Sequence, residues 1–318
     1  MNKIEFGDCR EIMKGWAVAG VKAQTCVTSP PYFGLRDYGH PDQIGREETP
    51  QEYVDNMVEV FRGVRDILAD DGTLWINIGD SYNGSGGQGT KPNIMTEAAA
   101  AGRGGKPIRV DGIKPKDMVG IPWMLAFALR ADGWYLRQDI IWNKPSHMPE
   151  SVTDRCTKSH EYVFLLAKSQ KYYFDHQAIK EPLADPTRTN FTSGSRSNGI
   201  NHDRGDNDLA ERSRDAVYTS KNKRSVWTVS PRPYAGAHFA VYPEELIVPC
   251  ILAGSRKNDI VLDPFMGSGT TAAVALKNGR QYLGCELNQE YQQLQDERIA
   301  AASIVQEKNQ IFDSLFQF

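Results

Sequence analysis

Two segments far apart in the chain carry residue types that could do chemistry. Ile260-Val261-Leu262-Asp263-Pro264-Phe265-Met266-Gly267-Ser268-Gly269-Thr270-Thr271 reads as a strand, a glycine turn and the start of a helix. Gly267 and Gly269 remove side chains where a ligand must approach the backbone. The helix start beyond them presents unpaired N–H groups to an anionic ligand group. Glu286 stands 19 residues after Gly267, an offset at which an acid can hold the two hydroxyls of a ribose. Together these signals point to a ligand containing adenosine. No Gly-Lys-Ser/Thr phosphate loop follows, and Ala272 occupies the place of the third glycine of a dinucleotide fingerprint. Asp263, Thr270 and Thr271 suit a ligand with an amino group and a carboxylate, a description that S-adenosylmethionine meets. A purely structural glycine turn is the alternative.

The second segment is Val27-Thr28-Ser29-Pro30-Pro31-Tyr32. Its prolines fix φ, remove two N–H donors and push the preceding residues towards extended conformations. The loop is therefore stiff, with the carbonyls of Ser29 and Pro30 held as acceptors. A planar group with an exocyclic amine fits it: the amine donates to the Ser29 hydroxyl and the Pro30 carbonyl, and the ring stacks on Tyr32. A rigid strand-to-helix turn is the alternative here.

Positioning these loops requires an alternating α/β chain. Strands are expected at Ile4–Phe6, Thr25–Thr28, Thr73–Ile78, Trp134–Trp142, Glu161–Ala167, Asp259–Leu262 and Gln281–Cys285, by apolar runs bounded by turn residues. Helices are expected at Cys9–Trp16, Gln51–Leu68, Val119–Ala131, Pro243–Ala253, Thr270–Lys277 and Gln289–Ile304. In the second helix Val54, Met57, Val58, Phe61, Val64 and Leu68 form a core stripe. Residues 80–118, rich in Gly, Lys and Pro, read as a long flexible loop. Residues 176–225, polar and poor in aliphatics, read as an insertion.

Composition bounds the rest. With 318 residues, 40% hydrophobic and 24% charged, the chain can bury a core, and wholesale disorder is excluded. No apolar run is long enough to cross a membrane, and the first residues lack a secretory core, so a cytoplasmic location is expected. The five cysteines are scattered without a CxxC pair, so no metal site and no disulfide framework is expected. Cys250 lies in an apolar helix and reads as core. The net charge is -3, yet residues 88–232 hold 23 Lys and Arg against 16 acids. A basic middle on an acidic frame suits a polyanion partner, and solvated surface is the plain alternative.

Ser-Pro-Pro-Tyr followed far downstream by Asp-Pro-Phe-Met-Gly-Ser-Gly-Thr resembles the DNA amino-methyltransferases, in the order of their β group. The resemblance covers most of the chain outside residues 80–118 and 176–225. It implies a Rossmann-like, circularly permuted seven-stranded sheet, mostly parallel with one antiparallel strand, in which Ile4–Phe6 lies beside Gln281–Cys285. The catalytic domain is then 1–175 with 226–318, and 176–225 is an inserted target-recognition region. The implied activity is methyl transfer from S-adenosylmethionine to the exocyclic amine of a base flipped out of double-stranded DNA. Ser at the first loop position looks like the cytosine-N4 enzymes, and adenine N6 is the runner-up.

Residue by residue, the resemblance places Ser29, Pro30, Pro31 and Tyr32 at the reacting amine. Gly7-Asp8-Cys9 looks like the family's adenine-contacting segment, with Asp8 accepting from the amine. Pro264, Phe265, Gly267, Gly269, Glu286 and Asn288 fall in its cofactor motifs, as does Phe239, in the stretch His238–Pro243. DNA contacts are expected from Arg36, Arg103, Lys106, Arg109, Lys114, Lys116, Lys144, His160, Arg212 and Arg224. His160 and the adjacent Glu161 face opposite sides of a strand and are read as structural or DNA-facing. A homodimer and a cognate restriction endonuclease complete the partner expectations. Competing readings are a protein or RNA amine methyltransferase, a catalytically dead DNA-binding relative, and a nicotinamide enzyme.

Overall fold

The structure is a computed structural model that describes residues 1–35, 40, 42–84, 110–146, 150–183, 219–231 and 242–315. The chain divides into a larger unit, Met1–Asp175 with Ser225–Phe318, and a smaller one, His176–Arg224.

The larger unit starts with β1 (Lys3–Phe6), α1 (Cys9–Val18), β2 (Ala23–Thr28), α2 (Pro50–Ile67) and β3 (Leu68–Ile78). Then come α3 (Ile121–Ala131), β4 (Tyr135–Asn143) and β5 (His160–Ala167). In the smaller unit β6 (Glu181–Pro182) and β7 (Ser220–Lys221) pair antiparallel, and Lys223 and Arg224 lie 3.3 and 3.8 Å from Glu181. The larger unit resumes with β8 (Val226–Thr228), α4 (Glu244–Gly254), β9 (Ile260–Asp263), α5 (Thr270–Lys277) and β10 (Gln281–Glu286). A 3-10 turn at Gln289–Tyr291 leads into α6 (Gln292–Leu315).

Among the described residues the main sheet has eight strands in the order β1-β10-β9-β2-β3-β5-β4-β8, and of these only β5 runs antiparallel to its neighbours. The expected seven-stranded sheet thus gains β8, three residues too short to show a period. It pairs parallel with β4, Trp142 opposite Trp227, and Trp142 Nε1 donates to the Val229 carbonyl at 2.9 Å. The expected meeting of the first and last strands is present: β1 pairs parallel with β10, Ile4 opposite Gly284.

Strand alternation distributes the helices. On β2, Cys26 points into a core built with Met13, Trp16, Met57, Phe61, Leu125 and Leu129 from α1, α2 and α3. The neighbouring Thr25 faces the other way, towards the end of α4, where a Cβ on Gly254 would come within 2.6 Å of its Oγ1. α5 packs beside α4, and α6 packs on α5. The α2 stripe is buried as expected, apart from the half-buried Val58, and a Thr49–Glu52 capping box starts the helix ahead of Pro50.

Three boundaries differ from expectation for local reasons. β3 begins at Leu68, directly after α2, because Leu68 is already extended and buried; the polar Asp70-Asp71-Gly72 hides this in the sequence. The final helix starts late, because Asn288 caps a 3-10 turn by accepting from Glu290 N–H at 2.9 Å, and it then continues beyond Ile304 to Leu315. Most of the 80–118 loop lies outside the described residues; at its ends Tyr82 bridges Met118, and the Asn83 side chain ties Val110 and Ile113. Among the described residues no helix is long and apolar enough to cross a membrane.

Candidate active site

The parallel strands β1, β10, β9 and β2 end at one edge of the sheet, and an open cleft lies there, about 1090 Å³ of empty space counting its mouth. Crevices at the carboxyl ends of parallel strands are the usual ligand sites of such sheets. This one has room for a nucleoside-sized molecule.

One wall is the glycine turn. Gly267 and Gly269 have φ of +53° and +81°, left-handed values that non-glycine residues adopt at a strain. Opposite stands Glu286, 8% exposed, at the end of β10. Its Oε2 accepts from the Gly267 N–H at 2.7 Å and its Oε1 from the Asn288 N–H at 2.9 Å. Burial pushes this carboxyl above its usual range, the two N–H donors opposing. Each oxygen keeps acceptor capacity for a hydroxyl, which is the chemistry a ribose diol requires. Cys9, also on the wall, has its thiol pushed up to about 12 by burial and stays neutral.

Asp8 caps α1 by accepting from Arg10 N–H at 2.8 Å, and the Arg10 guanidinium grips the same carboxylate. That pair holds the Asp8 carboxyl below its ordinary range. From α6, Gln295 Nε2 donates to the Gly267 carbonyl at 2.6 Å, and Arg298 reaches the hydroxyls of Ser268 and Thr270. These braces went unread in the sequence, because nothing in the α6 pattern marks which polar residues turn inward.

The expected residues divide into two groups. Asp8, Cys9, Ser29, Pro31, Pro264, Phe265, Gly267, Thr270, Glu286 and Asn288 line the cleft, so Ser29 and Gly267 share one cavity. Pro30, Asp263, Gly269 and Thr271 do not line it. Asp263 is 1% exposed beneath the wall, where its carboxylate accepts from Thr28 Oγ1 at 2.6 Å, Phe265 N–H at 3.0 Å and the hydroxyls of Thr271 and Tyr242. Its reach is taken up by the protein, which corrects the reading of Asp263 as a ligand-facing acid. Burial outweighs these donors and pushes its carboxyl up to about 6. Phe239 lies outside the described residues.

The proline loop is tied from behind. The Tyr53 hydroxyl of α2 donates to the Pro31 carbonyl at 2.8 Å, whereas the Ser29 hydroxyl and the Pro30 carbonyl have no hydrogen-bond partner among the described residues. Tyr32 does not line the cleft; its hydroxyl donates to Glu161 Oε2 at 2.9 Å. Lys144, expected among the DNA contacts, pairs with Glu161 and lies 4.1 Å from the centre of the Trp142 ring. His160 packs edge-on against Tyr162 at 5.4 Å, so it and Glu161 do face opposite ways. Lys114 and Lys116 pair with Asp117 and Asp154. Arg36, Arg103, Lys106, Arg109 and Arg212 lie outside the described residues. Cys250 is buried, as expected of core.

Residues 23–297 match the DNA methylase family model for N6 and N4 enzymes. The chain is 46% identical over 300 residues to Type II methyltransferase M.SmaI of Serratia marcescens, covering 93% of this chain and 90% of that one. It is 46% identical over 286 residues to Type II methyltransferase M.Cfr9I of Citrobacter freundii, covering 90% and 83%. Among solved structures it resembles the PvuII DNA methyltransferase (cytosine-N4-specific), with a TM-score of 0.60 at 17% identity, covering 96% and 92%. It also resembles a putative DNA modification methylase of Thermus thermophilus, TTHA0409, solved with S-adenosyl-L-methionine, with a TM-score of 0.56 at 23% identity over 95% and 96%. The cleft, the glycine turn and the proline loop therefore sit in a chain that belongs to the DNA methylase family, an S-adenosylmethionine-dependent DNA amino-methyltransferase.

Proposed function

We propose that this enzyme methylates the N4 amine of cytosine, flipped out of a specific site in double-stranded DNA. The observation that carries the reading is the Ser29 hydroxyl, placed on the cofactor cleft with no partner of its own among the described residues. Serine at this loop position looks like the cytosine-N4 members of the family.

An exocyclic amine is a poor nucleophile, because its lone pair is delocalised into the ring. Ser29 Oγ and the Pro30 carbonyl accept its two hydrogens and favour a tetrahedral nitrogen, with the lone pair aimed into the cleft. Tyr32 stacks on the extruded base and offsets part of the few kcal/mol that unstacking costs. These groups act by positioning and fixed electrostatics. Glu286 holds the ribose hydroxyls of the methyl donor, Asp8 and Phe265 border its adenine, and Gly267, Ser268 and Thr270 of the glycine turn hold its methionine end. When bound, S-adenosylmethionine supplies an electrophilic methyl on a sulfonium.

Residues 176–225 are assigned as the target-recognition region, supported by their polar, basic composition and their separation as a unit. A cognate restriction endonuclease is the partner assigned, supported by the Type II names of the relatives.

The base assignment is tested by digesting methylated DNA to nucleosides and identifying the product by mass spectrometry. N4-methylcytosine is expected, and N6-methyladenine overturns the assignment. A second measurement checks the ribose site. Glu286→Gln keeps the shape but removes the charge, and is expected to weaken S-adenosylmethionine binding about tenfold by calorimetry.

A further inference from the structure

We propose that Glu161 is a positioning residue that fixes the plane of the Tyr32 ring before a base arrives, in a slot kept open by Gly79. The proposal rests on the reading that Tyr32 stacks on the flipped base.

The sheet topology supplies the acid. β5 is the antiparallel strand, so its first residues emerge at the edge where the parallel strands end. Glu161 is the second residue of β5 and points its carboxylate at the Tyr32 hydroxyl, 2.9 Å away. Its other oxygen is held by the Lys144 ammonium, which follows β4. From β3, Asn77 Nδ2 donates to the Tyr162 carbonyl at 3.1 Å and lies 3.4 Å from the same Glu161 oxygen that Tyr32 uses. The acceptor is thus fixed from three strands.

The second constraint is steric. A Cβ on Gly79 would lie 2.8 Å from Tyr32 Cε2 and 3.4 Å from Glu161 Cδ, so only a residue without a side chain lets the ring lie against this backbone. The ring edge rests on Gly79 and its tip on Glu161. With the loop tied by Tyr53 to Pro31, these contacts leave the ring one orientation. Glu161 has no contact with the cofactor cleft. Its effect is therefore on the base, through Tyr32.

The test uses the full chain, tritiated S-adenosylmethionine and polymerase-amplified, hence unmodified, genomic DNA. Tyr32→Phe and Glu161→Ala are each expected to lower kcat/KM for DNA roughly threefold to tenfold. The double variant should be no worse than either alone, because both remove one hydrogen bond. Glu161→Gln, whose amide oxygen still accepts, should restore most of the loss. Affinity for S-adenosylmethionine should stay unchanged in every variant. Additive losses, or wild-type kinetics in Tyr32→Phe, overturn the proposal. If Glu161→Ala fails to fold, Tyr32→Phe decides it alone: a roughly threefold to tenfold loss at unchanged donor affinity supports the proposal, and wild-type kinetics overturn it. Tyr32→Ala separates the two readings. Activity retained in that variant refutes the stacking role itself. Activity lost there while Tyr32→Phe is unimpaired refutes the positioning role alone.

Discussion

Tyr32→Ala is expected to lower kcat/KM for DNA by roughly 5- to 150-fold, the range that follows from about 1–3 kcal/mol for one base–aromatic stack. Affinity for the methyl donor should change less than twofold, because Tyr32 does not line the cofactor cleft. Steady-state kinetics with separate titrations of DNA and S-adenosylmethionine measure both quantities. A parallel rise in the dissociation constant of the donor would show that the substitution had disturbed the cleft rather than the base platform. The contrast is sharp because the loop is anchored independently, by Tyr53 on the Pro31 carbonyl and by the Thr28–Asp263 hydrogen bond just before it.

The second large effect concerns stability and Asp263. Its carboxyl is raised from 3.8 to about 6 in the folded protein, chiefly by burial. The folded state therefore holds its proton more tightly than the unfolded state. Stability from this group is complete below about pH 4 and is lost as the pH rises through 6, by about 3 kcal/mol. Asp263→Asn removes that titration. The unfolding free energy of the variant minus that of the wild type should rise by about 3 kcal/mol between pH 4 and pH 7. Urea denaturation at four or five pH values across that interval reads the difference directly. A difference that stays flat with pH would mean that Asp263 titrates alike in both states.

The chemistry-bearing segments were legible because each carries its signal locally. The glycine turn, the offset of Glu286 and the prolines after Ser29 impose backbone conformations that neighbours need not supply. The α/β alternation was legible for the same reason, through periodicities in α2 and the central strands. What stayed hidden depends on tertiary pairing. Glu161 reads as one acid at a strand start until the antiparallel direction of β5 brings it to Tyr32. Gln295 and Arg298 look like surface residues of a polar helix until α6 folds back on the glycine turn. Asp263 looked like a ligand-facing acid because its motif sits beside the cleft, and Phe265 and Thr271 of that motif, with Thr28 and Tyr242 from outside it, claim the carboxylate. β8 was missed because three residues cannot display an alternation.

The placement of β9 between β10 and β2 has a consequence for synthesis. On the ribosome, β2 and β3 emerge some two hundred residues before β9, and β1 waits longer still for β10. Throughout that interval the nascent chain presents one unpaired border of β2, rich in backbone donors and acceptors that invite misjoining with another polypeptide. Slowing translation downstream of β3 should therefore increase aggregation of newly made chains, while leaving completed molecules untouched.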